Sequence, residues 1–104
     1  MEKLVKDGMV AVLVSPGHGA GWSTWMHAYQ CDNLFDPVLA QMLIDKVDYQ
    51  EMLEYCEAMY PDGYLGGLDK LEVQWLPVGT KFRISEYDGY ESIEVMDDIG
   101  WVEA

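Results

Sequence analysis

An apolar run that stops abruptly at a glycine-rich loop constrains this fold more than any other feature of the chain. Residues 9–14 read Met-Val-Ala-Val-Leu-Val, a composition typical of a buried β-strand. Ser15 and Pro16 end the run, and Gly17, Gly19 and Gly21 follow at alternate positions. Glycine at that density allows positive φ angles and close approach of another molecule to the main chain. We therefore predict a core strand followed by an ordered loop, residues 15–25, of the kind that commonly holds a ligand.

Two helices are predicted after this loop. Asp36 and Pro37 make a good helix start, because the aspartate can accept from free amides and proline suits the first helical position. A second start lies at Asp48, where Glu51 three residues later completes a variant of the capping box. Apolar residues then recur at helical spacing until residues 61–63, Pro-Asp-Gly, end the second helix.

The remainder of the chain alternates between apolar and polar residues, as strands do. Residues 71–75 and 81–85 show this period of two, and Asp88-Gly89 is a strong hairpin signal. The 104 residues suffice for one compact domain, so we treat residues 1–104 as a single unit. The expected class is α+β: a mostly antiparallel sheet of about four strands with two consecutive helices, in the order β-loop-α-α-β-β-β.

Charge is the second strong signal. Nineteen acidic residues face six basic ones, which gives a formal net charge of −13. Binding to nucleic acid or to an anionic membrane surface requires clusters of lysine and arginine, and the sequence has none, so direct nucleic-acid binding and membrane association are not expected. Two interpretations remain: a solubilising, self-repelling surface, or an acidic surface that attracts a basic protein partner.

The glycine-rich loop matches no established phosphate-binding or nucleophile motif. It lacks the Gly-Lys-Ser/Thr ending of a Walker A loop, the spacing of the dinucleotide fingerprint and a Gly-x-Ser-x-Gly elbow. Main-chain amides in a glycine-rich bend can still form a concave nest for a phosphate or carboxylate. The alternative is a tight turn packed under two tryptophans. The candidate ligand-binding residues are Ser15, Gly17, His18, Gly19, Gly21, Trp22, Ser23, Thr24, Trp25, Lys81 and Arg83.

Lys81 and Arg83 are candidates because cations are scarce in this chain. They alternate on one predicted strand, where they are positioned to act as an anion clamp opposite the loop. The alternative role for Arg83 is a cross-strand ion pair with Glu94 or Glu91.

No metal site or catalytic centre is predicted. A structural zinc site from His18, His27, Cys31 and Cys56 would need all four to converge, and no Cys-x-x-Cys pair is present. Cys56 lies on the apolar stripe of a helix, so a buried reduced thiol is the expected state rather than a nucleophile. A small hydrolase using His18 with a loop serine ranks last, because no partner for the histidine can be named. No cofactor is expected.

The sequence carries no long apolar segment. Residues 1–6 are not followed by the apolar region of a signal peptide, and no run reaches the length of a membrane-spanning helix. We therefore expect a cytoplasmic protein with reduced cysteines.

Residues 10–25, which include the glycine-rich loop, resemble small uncharacterised acidic proteins encoded by bacteriophages, as do Leu-Phe-Asp-Pro at residues 34–37 and the segments 75–89 and 91–92. The similarity covers roughly residues 9–101, and its most specific part is the pattern SPGxGAGWxTW. The resemblance carries no catalytic residues. It implies a context in which small acidic proteins act on host machinery or host defence in the host cell cytoplasm, some by sequestering nucleotide signals and others by imitating nucleic acid.

Two functional hypotheses follow. In the first, a non-enzymatic protein counteracts host defence by sequestering a small anionic, nucleotide-like ligand at the glycine-rich loop. Main-chain amides of Gly17, Gly19 and Gly21 would bind phosphate. Trp22 or Trp25 would stack on the base, and Lys81 or Arg83 would balance charge. A homo-oligomer is expected, because a chain of this size forms only a shallow pocket and exposed Trp and Tyr suit interfaces. In the second hypothesis, the acidic surface inhibits a basic host protein.

Overall fold

Local sequence signals set the boundaries of most elements in the computed structural model, which describes residues 3–17, 21–25, 30–63, 65–95 and 102–103. Asp7-Gly8 and Asp88-Gly89 both have positive φ angles, as two-residue hairpin turns require. The strands are β1 (Val5–Lys6), β2 (Met9–Val14), β3 (Glu72–Pro77), β4 (Lys81–Tyr87), β5 (Tyr90–Val95) and β6 (Val102–Glu103), and the helices are α1 (Gln30–Leu34), α2 (Pro37–Ile44) and α3 (Tyr49–Met59). Short 3₁₀ turns lie at Ser23–Trp25 and Leu68–Lys70.

The two predicted helix starts are confirmed, but their caps differ. Asp36 accepts hydrogen bonds from the Val38 and Leu39 amides at 3.0 and 3.1 Å, so its carboxylate caps α2. Asp48 precedes α3 and makes no side-chain cap bond. The short helix α1 lies within residues 22–34, an aromatic and polar segment without clean periodicity, whose sequence is compatible with either a short helix or an ordered loop.

The α+β class is confirmed, and the strands are divided between two antiparallel sheets. The first sheet has the order β1-β2-β3, with β2 paired to β3 along six residues from Met9 with Pro77 to Val14 with Glu72. The second sheet has the order β5-β4-β6. The division leaves β2 at the centre of the molecule, with all residues from Val10 to Val14 at most 1% exposed.

Both faces of β2 are covered, which explains why its sequence is continuously apolar. Ala11 and Leu13 pack against the helices in one core cluster. The alternate residues pack against the second sheet in another cluster, formed by Val10, Val12, Val14, Leu34, Phe35 and Phe82. Among the described residues, α2 and α3 thus cover one face of the first sheet, and the second sheet with the end of α1 covers the other.

Candidate functional site

The glycine-rich loop is bound by a carboxylate of its own chain. Glu91, the second residue of β5, is 1% exposed. Its side chain accepts hydrogen bonds from the amides of Ser15 at 3.0 Å, Trp22 at 2.7 Å and Thr24 at 3.1 Å. The Thr24 hydroxyl donates a fourth bond at 2.6 Å. We call these three residues with Glu91 the carboxylate cradle.

The carboxylate cradle has the chemistry expected of an anion nest. Three main-chain N–H groups and a hydroxyl converge on one carboxylate, and charge-assisted bonds of this kind are stronger than neutral ones. The main chain adds a further link, because the Glu91 amide donates to the Ser15 carbonyl oxygen at 2.9 Å. The cradle therefore joins the end of β2 to the start of β5, and with it the first sheet to the second.

Trp22 is a core residue. Its side chain is fully buried, and its indole Nε1 donates to the Asn33 carbonyl oxygen at 2.8 Å. Its ring meets Tyr60 edge to face, with centroids 6.1 Å apart. Ser15 and Ser23 are buried as well. These contacts match the alternative interpretation of the loop as a packed turn, and the Trp22 ring has no open face for stacking on a base.

Two predicted ligand residues, His18 and Gly19, lie outside the described part of the chain, and for Trp25 the structure describes the backbone only. Of the residues considered for a zinc site, His27 also lies outside it, and Cys31 is described by its backbone only. Their predicted roles stay predictions.

Two glycines allow other segments to approach the loop closely. A Cβ atom on Gly67 would lie 2.4 Å from the Gly21 carbonyl oxygen, and one on Gly17 would lie 2.0 Å from Cδ of Lys70. The stem of Lys70 therefore crosses the loop at Gly17. Sequence reasoning missed Lys70, because it lies in a 3₁₀ turn far along the chain and carries no motif.

These close approaches predict different effects of two matched substitutions. In Gly67→Ala the new methyl group meets backbone, which cannot move without distorting the loop, so we expect a loss of about 2–3 kcal/mol in unfolding free energy. In Gly17→Ala it meets a flexible lysine stem, so we expect a loss below about 1 kcal/mol. Urea unfolding of both variants measures the difference, and equal losses would contradict the proposed packing.

Lys81 and Arg83 lie on the face of the second sheet that points away from the carboxylate cradle. Glu86 is opposite Glu91 in the β4–β5 ladder, whereas Arg83 is opposite Glu94. Because side chains alternate between faces, Arg83 and Lys81 point away from the face that carries Glu91. Arg83 pairs instead with Glu94 at 3.5 Å, and both side chains are largely exposed. The structure therefore does not bring these two cations to the loop as the predicted anion clamp requires.

A second buried carboxylate lies between the helices. Asp36 is fully buried and, besides capping α2, accepts hydrogen bonds from the hydroxyls of Tyr55 at 2.8 Å and Tyr60 at 2.5 Å. Desolvation by burial and the hydrogen bonds to Asp36 raise the pKa of both tyrosines well above the usual value. Sequence reasoning identified the cap but not its tyrosine partners.

Cys56 is a buried, free thiol, as expected. Desolvation by burial, followed by the negative charge of Asp36, raises its pKa to about 12. A thiol in this environment stays protonated at neutral pH and is a poor nucleophile or metal ligand. Among the described residues no cluster of three or more His, Cys, Asp or Glu is arranged to hold a metal ion.

The exposed surface of α3 is acidic. Asp48, Glu51, Glu54 and Glu57 recur every three residues and are all exposed, and we call them the α3 acidic face. Residues 47–69 contain no lysine or arginine. Glu57 lies near the helix C-terminus, where a negative charge opposes the helix dipole.

Comparisons with known proteins leave the chain without an assigned relative. No protein-family model matches it, and no similar chain was found among curated proteins or solved structures. In the described ranges, no helix has both the length and the apolar character needed to cross a membrane.

Proposed function

We propose that this chain is a non-enzymatic binding protein whose acidic surface engages a basic protein partner. The observation that carries the proposal is the α3 acidic face: an exposed series of carboxylates within a segment, residues 47–69, that has no basic residue. A net charge of −13 adds long-range attraction for a basic surface and speeds encounter with it.

The energetics of α3 support this proposal. Like charges three residues apart on a helix repel each other by a few tenths of a kcal/mol per pair, and Glu57 adds an unfavourable interaction with the dipole. The side chains that pack α3 into the core are others, Met52 and Cys56 foremost. Glu51 lies in the first turn of α3, where the helix dipole favours a carboxylate. Glu54 and Glu57 have no such benefit, so this part of the acidic face costs stability without contributing to the core, as expected of charges that serve binding.

The resemblance to phage-encoded proteins extends the proposal to a setting. The proposal then includes a partner of host origin, a role in counteracting host defence and a location in the host cytoplasm. The expected homo-oligomer is a further part of the proposal, and sedimentation of the purified chain tests it independently.

The experiment compares two variants of equal net charge. Glu51→Gln, Glu54→Gln and Glu57→Gln together neutralise part of the α3 acidic face. The control neutralises the same number of exposed carboxylates elsewhere: Asp7→Asn, Glu86→Gln and Glu94→Gln. Each protein is used as bait in a host lysate at low and moderate salt.

We expect wild type and control to recover the same basic protein, with recovery falling steeply as salt rises. The α3 variant should recover much less while unfolding at an equal or higher urea concentration, since helix repulsion is relieved. Equal recovery by both variants would assign the effect to net charge alone and contradict the role of α3. Recovery of no protein by wild type would contradict the proposed function.

The nucleotide-sequestering hypothesis stays a prediction with its own test. A ligand phosphate that uses the amides of Ser15, Trp22 and Thr24 must displace Glu91 from them. Calorimetric titration and thermal shift with cyclic and linear nucleotides detect binding, and amide NMR locates it. Binding that perturbs the amides of these three residues would support the hypothesis, and silence across the panel at high protein concentration would reject it.

A further inference from the structure

The first sheet ends in a strand whose outer edge is open. β3 pairs with β2 along its whole length and with no other described strand. The order of the sheet places β2 on one side of β3, so the opposite side carries main-chain groups that no described strand uses. Such an edge is a template for the addition of another strand.

Two hydrogen bonds show which groups point outward. The Val78 amide donates to the Gly8 carbonyl oxygen, so Gly8 and Val78 form a hydrogen-bonded pair. Hydrogen-bonded and non-bonded pairs alternate along an antiparallel ladder, so Val12 and Gln74 are also a hydrogen-bonded pair. On the other side of β2, the Ala11 amide donates to Leu4, which fixes the same alternation independently. The N–H and C=O groups of Val73 and Trp75 therefore point away from β2, toward the open edge.

A cleft of about 370 Å³ lies beside this edge. Val73 and Trp75 form its strand side, and Leu43 and Ile44, at the end of α2, form its helix side. A strand added at the edge would place alternate side chains on the helix-facing side of the sheet, where this apolar cleft can receive them.

The charges around the edge indicate which side chains the added strand would carry. Glu72, the first residue of β3, is exposed and accepts a hydrogen bond from Gln74 at 2.9 Å. Glu72 and the exposed Lys46 both line the cleft, so a basic side chain is disfavoured beside Lys46 and favoured beside Glu72. A second copy that added its own β3 would bring no basic side chain to Glu72, because residues 72–77 contain no lysine or arginine.

We propose that an extended basic segment of the partner protein adds to β3 as a further strand, with apolar residues in the cleft and lysine or arginine beside Glu72. The inference rests on the proposed function and deepens it, since it names the part of the partner that is bound and the edge that binds it. Main-chain hydrogen bonds to Val73 and Trp75 supply affinity, and the alternation of side chains supplies selectivity.

The probe is a synthetic peptide of alternating Lys and Val, and its control is the same peptide N-methylated at alternate amides. Methylation keeps charge and apolar content but prevents strand pairing. Fluorescence anisotropy measures affinity for the wild-type chain, and amide NMR locates the contact. We expect the unmethylated peptide to bind about tenfold more tightly or better, and the Val73 and Trp75 amides to gain protection from exchange.

Val73→Pro removes an outward N–H that β2 does not use, so the paired ladder is kept. Val5→Pro is the matched control, because by the same alternation the Val5 N–H points to the other edge of this sheet. We expect Val73→Pro to weaken binding of the peptide about tenfold and Val5→Pro to leave it unchanged. Circular dichroism verifies that both variants fold, and the methylated peptide tests the proposal on wild type if either does not.

Three outcomes would overturn the inference. Equal affinity for both peptides, or for wild type and a folded Val73→Pro, would place the basic partner elsewhere on the surface. That result would leave the proposed function standing if lysate capture still depended on the α3 acidic face.

Concentration-dependent dimers that Val73→Pro alone abolishes would make a second copy the occupant. Failure of wild type to bind the peptide would overturn the edge proposal, and the proposed function would fail with it only if lysate capture were also absent.

Discussion

Replacing Glu91 with alanine should lower the free energy of unfolding by about 3–5 kcal/mol. The change leaves the amides of Ser15, Trp22 and Thr24 and one hydroxyl without their acceptor in a buried setting. Each buried donor left unsatisfied costs about 1–3 kcal/mol, reduced where water can enter the space. Urea unfolding measures the loss.

Glu86→Ala is the matched control for Glu91→Ala. Glu86 is directly opposite Glu91 in the β4–β5 ladder, but it is exposed and accepts one described bond, from the Gly89 amide at 2.8 Å. We expect its replacement to cost about 1 kcal/mol or less. Losses of similar size in the two variants would contradict a special role for the carboxylate cradle.

Added acetate or formate gives a second, independent measurement on Glu91→Ala. Truncation leaves donors that suit a small carboxylate, so these ions should raise the melting temperature of the variant in a saturable way, beyond their effect on wild type. The same increase in both proteins would be a general salt effect and would argue against an anion-binding cradle.

Asp36→Ala should lower the free energy of unfolding by about 3–4 kcal/mol. The substitution removes the cap of α2 and leaves the Tyr60 hydroxyl buried and the Tyr55 hydroxyl half-buried without their shared acceptor. A cap is worth about 1 kcal/mol, and the hydroxyls account for the rest. Equilibrium unfolding in urea at neutral pH tests the estimate.

Asp48→Ala is the control that distinguishes loss of the buried hydrogen bonds of Asp36 from loss of any aspartate before a helix. Asp48 precedes α3 in the same way, but it is exposed and makes no side-chain cap bond, so we expect a change within about 0.5 kcal/mol. A double variant, Asp36→Ala with Tyr60→Phe, should lose less than the sum of the two single losses, because each removes the same hydrogen bond. Additive losses would contradict the contact.

The amides that converge in the carboxylate cradle are those of Ser15, Trp22 and Thr24. The predicted phosphate contacts are the amides of Gly17, Gly19 and Gly21, and that ligand site stays a prediction. A glycine-rich loop with several converging amides does bind a carboxylate, as a nest should. The carboxylate is Glu91, and the contacts join residues 67 to 76 positions apart in sequence. No local sequence pattern distinguishes Glu91 from the other acidic residues of this chain. The alternation of Glu91, Ile93 and Val95 predicts only that these three side chains share one face of a strand.

The sequence alone determined the features that depend on interactions between residues close together in the chain. Asp-Gly turns adopt positive φ because few other residues can, Asp36 caps a helix through amides two and three residues away, and a continuous apolar run predicts a strand covered on both sides. Only the tertiary structure decided that the strands form two sheets, that Glu91 fills the loop, that Arg83 faces away from it and that β3 has an open edge. Those features depend on which distant segments meet, and that choice is made by the packing of the whole core rather than by any local pattern.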